Sequence, residues 1–248
     1  MIHSTAIVSK NAQIGKNVTI GPYSIIHDNT NIGDYTVIEG FCEIGYSTEL
    51  AKNKLLIIGK NSLIRSHSIF YTGSYFGDNL ITGHRVTVRE NVHAGLNLQI
   101  GTLSDIQGDC EIGDYVRTHS NVHIGKHSRI GSFIWIFPYV VLTNDPHPPS
   151  ETLMGVVIKN FAVLATMSVV LPGVTVNEHT LIGAHSCVTK DVPTGMVVAG
   201  NPAKIVCKAS DVMLKDNNHC SAYPWPKHFT RGYPESIVKE WKKIFGNR

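Results

Sequence analysis

The stretch Ile14-Gly15-Lys16-Asn17-Val18-Thr19-Ile20-Gly21-Pro22-Tyr23-Ser24-Ile25-Ile26 decides the fold, because isoleucine returns at every sixth residue and a small or β-branched residue stands four places after it. The same phase extends outward from it. It reaches back through Val8 to Ile2 and on through Ile32 and Ile38 to Ile44, resumes from Ile58 to Leu142, and resumes again from Ile158 to Val188. Of these 29 hexads only Thr82 and Thr118 put a polar residue at the lead position. The position four further on holds Ala6, Ala12, Val18, Ser24, Thr30 and Thr36, and glycine often follows the lead directly, as at Gly15, Gly21, Gly33, Gly101, Gly113, Gly125, Gly131 and Gly183. A six-residue step carries an α-helical position through about 600°, which drifts round the cylinder and makes no stripe. Short strands that turn a corner every six residues do fit. The lead then points inward, the small residue fills a narrow interior, and glycine is expected to take the turn conformations that other residues resist. One coil cannot bury its own apolar face, so coils stack roughly 4.8 Å apart. Three hexads to a coil predicts nine to ten coils.

The chain of 248 residues is 42% hydrophobic and 17% charged, enough for a sizeable core. Its net charge of +3, from 22 basic and 19 acidic residues, points to neither a nucleic acid nor a membrane partner. The apolar runs fall short of a membrane span. Met1-Ile2-His3-Ser4 is not the start of a secretory signal. Five cysteines without a C-x-x-C read as a reduced, cytoplasmic thiol set.

Two segments break the period. Residues 46–57 form a polar excursion. Residues 143–157 contain Asn144-Asp145-Pro146-His147-Pro148-Pro149-Ser150, whose prolines forbid ladder pairing, so this segment must leave the coil. Long loops on a rigid scaffold carry function more often than not. The solenoid is expected over residues 1–206 and an extension over 207–248. In the extension, residues 234–245 put Ile237, Val238, Trp241, Ile244 and Phe245 on one helical face, suited to packing on the solenoid as a cap for its last coil or on a neighbour. Residues 18 apart should stack, which places His127 below Asp145 and Arg129 below His147.

The repeat resembles that of the hexapeptide-repeat acyltransferases, and the resemblance implies an all-β, left-handed parallel β-helix. Leu171-Pro172-Gly173-Val174-Thr175-Val176, the run Leu181 to Pro193, and Ala199-Gly200-Asn201-Pro202-Ala203-Lys204-Ile205-Val206 are similar to the C-terminal coils of the acetyl-coenzyme A-dependent members. That likeness implies acetyl-CoA or another short acyl-CoA as co-substrate and no metal. Ala165 and Ala184 would give backbone contacts to the pantetheine arm, and Lys190 and Lys204 would meet the phosphates. Sugar O-acetyltransferases of the superfamily often have Thr-Gly-His-Pro at the start of the second loop, where this chain has Asp145 in place of the histidine. Leu142-Thr143-Asn144 is closer to the Phe-Thr-Asn of the nucleotide-sugar N-acetyltransferases.

The resemblance therefore implies acyl transfer to a nucleotide-linked amino sugar, of the dTDP-3-amino-3,6-dideoxyhexose type, for surface polysaccharide synthesis in the cytoplasm. The family's active sites lie between the solenoids of a homotrimer. Asn144 would hold the acceptor amine, and Asp145 or His147 would take its proton. His123, in Thr118-His119-Ser120-Asn121-Val122-His123, is similar to the base of acyltransferases for lipid A and related amino sugars, and is expected at a corner facing a neighbouring subunit. His84, Arg85 and Arg89 are candidates for holding the substrate pyrophosphate. Cys42 and Cys110 fall at interior positions, which argues against a covalent cysteine. Three other readings share the solenoid. They are a sugar O-acetyltransferase, a γ-carbonic anhydrase-like hydratase using His119, His123 and either His84 or His93, and a non-catalytic scaffold.

Overall fold

The computed structural model describes residues 1–216 and 220–246. Among these residues the chain winds through short strands, most of two residues, into three sheets of ten, nine and eleven strands, which up to Cys187–Val188 stack in parallel at intervals of three strands along the chain. The first face starts at Ile7–Val8, the second at Gln13–Ile14 and the third at Thr19–Ile20. The register is 18 residues, as in Ile7↔Ile25 and Thr19↔Val37. In the two-residue strands the second residue, the lead, faces in, and the first faces out of the solenoid. From Ile20 onward the leads form one continuous buried column. The two polar leads are buried with their hydroxyls in use. Thr82 Oγ1 accepts from the Arg65 N–H at 2.9 Å and Thr118 Oγ1 from the Gly101 N–H at 3.2 Å. The small serines behave alike. Ser24 Oγ donates to the Glu39 carbonyl at 2.8 Å and accepts from the Cys42 N–H at 3.1 Å, joining one coil to the next.

The role expected of glycine is corrected. Apart from Gly45, the glycines that follow the leads do not supply the positive φ. That conformation belongs to the residue three after the lead, as at Asn17, Tyr23, Asn29, Tyr35 and Phe41. Glycine is needed because the next coil passes too close. A Cβ at Gly21 would lie 2.5 Å from the Gly40 nitrogen, and one at Gly33 would lie 2.6 Å from the Lys60 nitrogen. Asparagine tolerates the left-handed corner readily. The aromatic corners gain from stacking instead: Tyr23 on Phe41 at 5.1 Å and Phe41 on His67 at 5.0 Å on one edge, Tyr115 on Phe133 and Phe133 on Phe161 at 5.2 Å on another.

Both interruptions leave from the corner between the first and second faces. The first spans the gap from Tyr46 to Leu56 and is tied down by Thr48 on Glu90 and by Lys54 Nζ on Asn91 Oδ1 at 3.3 Å. The second leaves after Leu142 and returns at Val157. Pairing across it is 28 residues apart, Val141↔Val169 and Arg129↔Val157. The stacking expected for the loop is therefore corrected. Val157, not His147, lies over Arg129, and Gly155, whose Cβ would press on the His127 backbone, takes the place expected of Asp145.

The third face closes with Met196–Ala199 and an antiparallel strand Lys204–Lys208. The extension ends in helix α1, Glu235–Phe245, preceded by Pro234. The expected end cap is corrected too. Trp241, Trp225 and Tyr233 form a second buried cluster against Tyr115, Phe133 and Phe161, so the extension clasps the flank of the solenoid. Phe245 meets Phe161 and His179 edge-on at 5.6 and 5.7 Å, while Ile244 is 63% exposed and off the contact.

Cys42 and Cys110 are buried, and that burial pushes their thiols up to about 11. Both are expected to stay unmodified when the native protein is treated with iodoacetamide at pH 8. Peptide mass spectrometry checks this, and rapid labelling of either would contradict their burial.

Candidate active site

On the first face the outward residues of successive coils form a ladder: Thr87, Asp105, His123, Val141. His123 and Asp105 are 18 residues apart and so lie side by side. His123 Nδ1 lies 3.0 and 3.1 Å from the two carboxylate oxygens of Asp105, and Gln107 Nε2 donates to Asp105 Oδ2 at 2.5 Å. Burial would push the Asp105 carboxyl up, but the hydrogen bonds from His123 and Gln107 outweigh it and hold the group below its ordinary range. A carboxylate on Nδ1 fixes the ring and leaves Nε2 as the nitrogen able to reach a ligand. His123 is therefore not at a corner. It stands in the strand His123–Ile124, half-exposed on a flat face. Asp105 and Gln107 escaped the sequence reading, although the 18-residue step that stacks the coils pairs Asp105 with His123.

The sign of the Asp105 shift makes a stability prediction. A carboxyl depressed in the folded state stabilises the protein above its unfolded range and loses that contribution as pH falls through the folded value. The melting temperature of Asp105→Asn should therefore fall below wild type at pH 7, and the gap should close in acid. A gap independent of pH would contradict it.

The second loop begins two residues past Val141, at Thr143, at the edge of this face. The Asn144 carbonyl accepts the Met154 N–H at 2.7 Å and closes the neck of the loop. The Asp145 carboxylate is held from within the loop by Ser150 Oγ at 2.7 Å, the Ser150 N–H at 3.1 Å and the His147 N–H at 3.2 Å. The Ser150 hydroxyl is the main reason its carboxyl lies below the usual range. Asp145 thus staples the loop and is a weak proton acceptor. His147 is exposed on the loop.

The remaining sequence candidates frame the same face. His84, Arg85, Ala165 and Ala184 lie on its edge with the third face, and Arg89 and Lys190 on its edge with the second. Lys204 begins the terminal antiparallel strand, paired with Ala199, and it is exposed, as is Lys190. Two candidates are already engaged. The Ala165 N–H donates to the Ile182 carbonyl at 3.0 Å, and Arg89 Nε lies 3.0 Å from the buried carboxylate of Glu90 beneath the first loop. His84 Nδ1 is 2.9 Å from Ser66 Oγ and 3.8 Å from Glu39. His119 stacks on Phe137 at 4.7 Å beside the third face, and His93 faces out from the second. Among the described residues no three of His, Cys, Asp and Glu gather into a group able to hold a metal.

No protein-family profile matches the chain. Over 95 residues, 38% of the chain, it is 35% identical to the 2,3,4,5-tetrahydropyridine-2,6-dicarboxylate N-acetyltransferase of Staphylococcus aureus. The match spans 34%, about a third, of the length of that relative. In three dimensions it is similar to the UDP-N-acetylglucosamine acyltransferase of Arabidopsis, with a TM-score of 0.71 at 21% identity over 84% of this chain and 74% of that one. It is also similar to the UDP-N-acetylglucosamine acyltransferase of Bacteroides fragilis, with a TM-score of 0.60 at 15% identity over 99% and 83% of the two chains. Repeat, coil geometry and these structural likenesses converge on the fold: the chain is a left-handed parallel β-helix, shared with these two UDP-N-acetylglucosamine acyltransferases.

Proposed function

We propose that the protein transfers an acyl group from acetyl-CoA or another short acyl-CoA to the amino group of a nucleotide-linked sugar, of the dTDP-3-amino-3,6-dideoxyhexose type, at a site on the first face centred on His123. The observation that carries this is the Asp105–His123 pair beside the proline-stiffened loop. The relatives named above, an N-acetyltransferase and acyltransferases acting on a nucleotide sugar, support the reaction class. A neutral amine attacks the thioester carbonyl unaided and needs orientation and a path for its proton. His123 Nε2 takes that proton, Asp105 stabilises the imidazolium, and the proton passes to the departing thiolate. Bond making and breaking then balance: a C–N bond forms, the C–S bond breaks, and coenzyme A leaves as the thiol. Asn144 orients the amine from the loop neck. Lys190, Lys204 and the backbone at Ala184 take the coenzyme, and His84 and Arg85 the pyrophosphate. A homotrimer would complete the site by setting a neighbour against the flat face. No helix among the described residues is long and apolar enough to cross a membrane, and we place the enzyme in the cytoplasm, where acyl-CoA is made.

The same pair favours one other acceptor, since an alcohol needs a base to become a nucleophile. A screen of acyl-CoA donors against dTDP- and UDP-linked amino sugars and their hydroxyl counterparts, followed by release of free thiol, tests both. Release with amino sugars alone is the expected result, release with hydroxyl sugars alone would make it an O-acyltransferase, and no release with any would end the proposal. Asn144→Ala is expected to cut turnover about tenfold to a hundredfold with the melting temperature unchanged. Unchanged kinetics would remove Asn144 from the site.

A further inference from the structure

We infer that the cleft between the first loop and the second face binds a phosphate monoester, with its phosphoryl group on the ammonium groups of Lys52 and Lys54. The cleft has a volume of about 350 Å³, and its lining includes Lys52 and Lys54 from the loop and Asn91, His93, Asp109 and Glu111 from the coils. The loop that carries the lysines is fastened down. Thr48 donates to the buried Glu90 carboxylate, which Arg89 Nε meets at 3.0 Å, and Asn91 Nδ2 donates to the Leu50 carbonyl at 3.5 Å. The charges select the ligand. Both carboxylates of the lining already have a cation from the next coil, and neither cation lines the cleft. Lys126 Nζ lies 3.0 Å from Asp109, and Arg129 Nε lies 3.8 Å from Glu111. Asp109 also accepts from Asn91 Nδ2 at 3.0 Å, and the loop's own Glu49 is outside the lining. The two lysines have no such balance. Lys54 Nζ meets the neutral Asn91 Oδ1 at 3.3 Å, and among the described residues the Lys52 ammonium has no carboxylate partner. Two uncompensated ammonium charges match a phosphate monoester, which carries about −1.5 to −2 at pH 7, whereas a carboxylate would balance only one. His93 adds an imidazole to the same lining. The cleft is larger than a phosphate ion fills, and the Asp109 and Glu111 carboxylates accept from hydroxyls, so the body of the ester is small and hydroxylated, as in a sugar phosphate.

The cleft opens on the second face, round a corner from His123, and the inference stands apart from the acyl-transfer reading. Calorimetric titration of the full chain at low salt with glucose 1-phosphate, inorganic phosphate and glucose tests it. Glucose 1-phosphate is expected to bind, inorganic phosphate to bind more weakly, and glucose not to bind. Lys52→Gln, at an exposed side chain, should weaken glucose 1-phosphate about tenfold with the melting temperature unchanged. Adding Lys54→Gln should abolish the binding. Lys10→Gln, at an exposed lysine of the first coil, should leave it as in wild type. The inference is overturned if glucose 1-phosphate does not bind, or if inorganic phosphate binds as tightly as the ester. It is equally overturned if Lys52→Gln binds as wild type does, or if Lys10→Gln weakens binding to the same extent, which would mean diffuse attraction to the protein's positive charge.

Discussion

His123→Ala is expected to slow thiol release about a thousandfold at saturating substrates, within the ~10²–10⁴ range that a well-placed proton acceptor contributes. The imidazole lies on a flat strand face, outside the buried column, so the variant should still fold, with a melting temperature lowered by the loss of its hydrogen bond to Asp105. Asp105→Asn removes the carboxylate from Nδ1 and should cost about a hundredfold. The two act as a unit, so the double variant should be no slower than His123→Ala alone. Independent, multiplicative losses would mean that Asp105 serves the fold and not the proton path. A His123→Ala enzyme within threefold of wild type would leave amine orientation by Asn144 as the whole of the chemistry.

Phe76→Ala is expected to destabilise the solenoid by about 3–5 kcal/mol. Phe76 is fully buried and meets Phe70 edge-on at 5.2 Å. Two of the surrounding leads are small, Thr82 in the same coil and Ala94 stacked on Phe76, while Phe70 and Ile58, on its other sides, are large. Large and small leads thus fill one layer between them, and truncating the large one leaves a cavity that neither neighbour can close. Denaturant unfolding of the full chain measures the loss, and a value below about 1 kcal/mol would show that the layer collapses. Ala94→Ile, the reverse change, should also destabilise by overpacking.

The fold was legible because inward-facing leads obey one period through most of the chain, and a period of six has no helical solution. The two excursions were legible because they break it. What escaped was whatever depended on register across an insertion. Ten extra residues shift the pairing from 18 to 28, so the partner of Arg129 could not be found by counting. Where no insertion intervenes the count works, and Asp105 to His123 is such a case. His123 is legible through the resemblance, whereas its partner Asp105 escaped for a different reason. Asn144, Asp145 and His147 drew attention as polar groups in a conspicuous loop, yet Asp145 is absorbed in the loop's own hydrogen bonds. The pair with an available ring nitrogen lies on the plain face of the coil, where the repeat constrains the inward residues and leaves the outward ones free. The glycines were misread because a close backbone approach and a left-handed turn both favour glycine, and sequence does not separate them.

The extension that grips Tyr115, Phe133, Phe161 and His179 also gives the rod a direction. Coils joined only to their neighbours peel away one at a time, but those bridged sideways by a common strap must let go together. Among the described residues the strap does not reach the amino-terminal turns, whereas the His123 turns lie beside the strapped segment and are expected to be among the last to lose order.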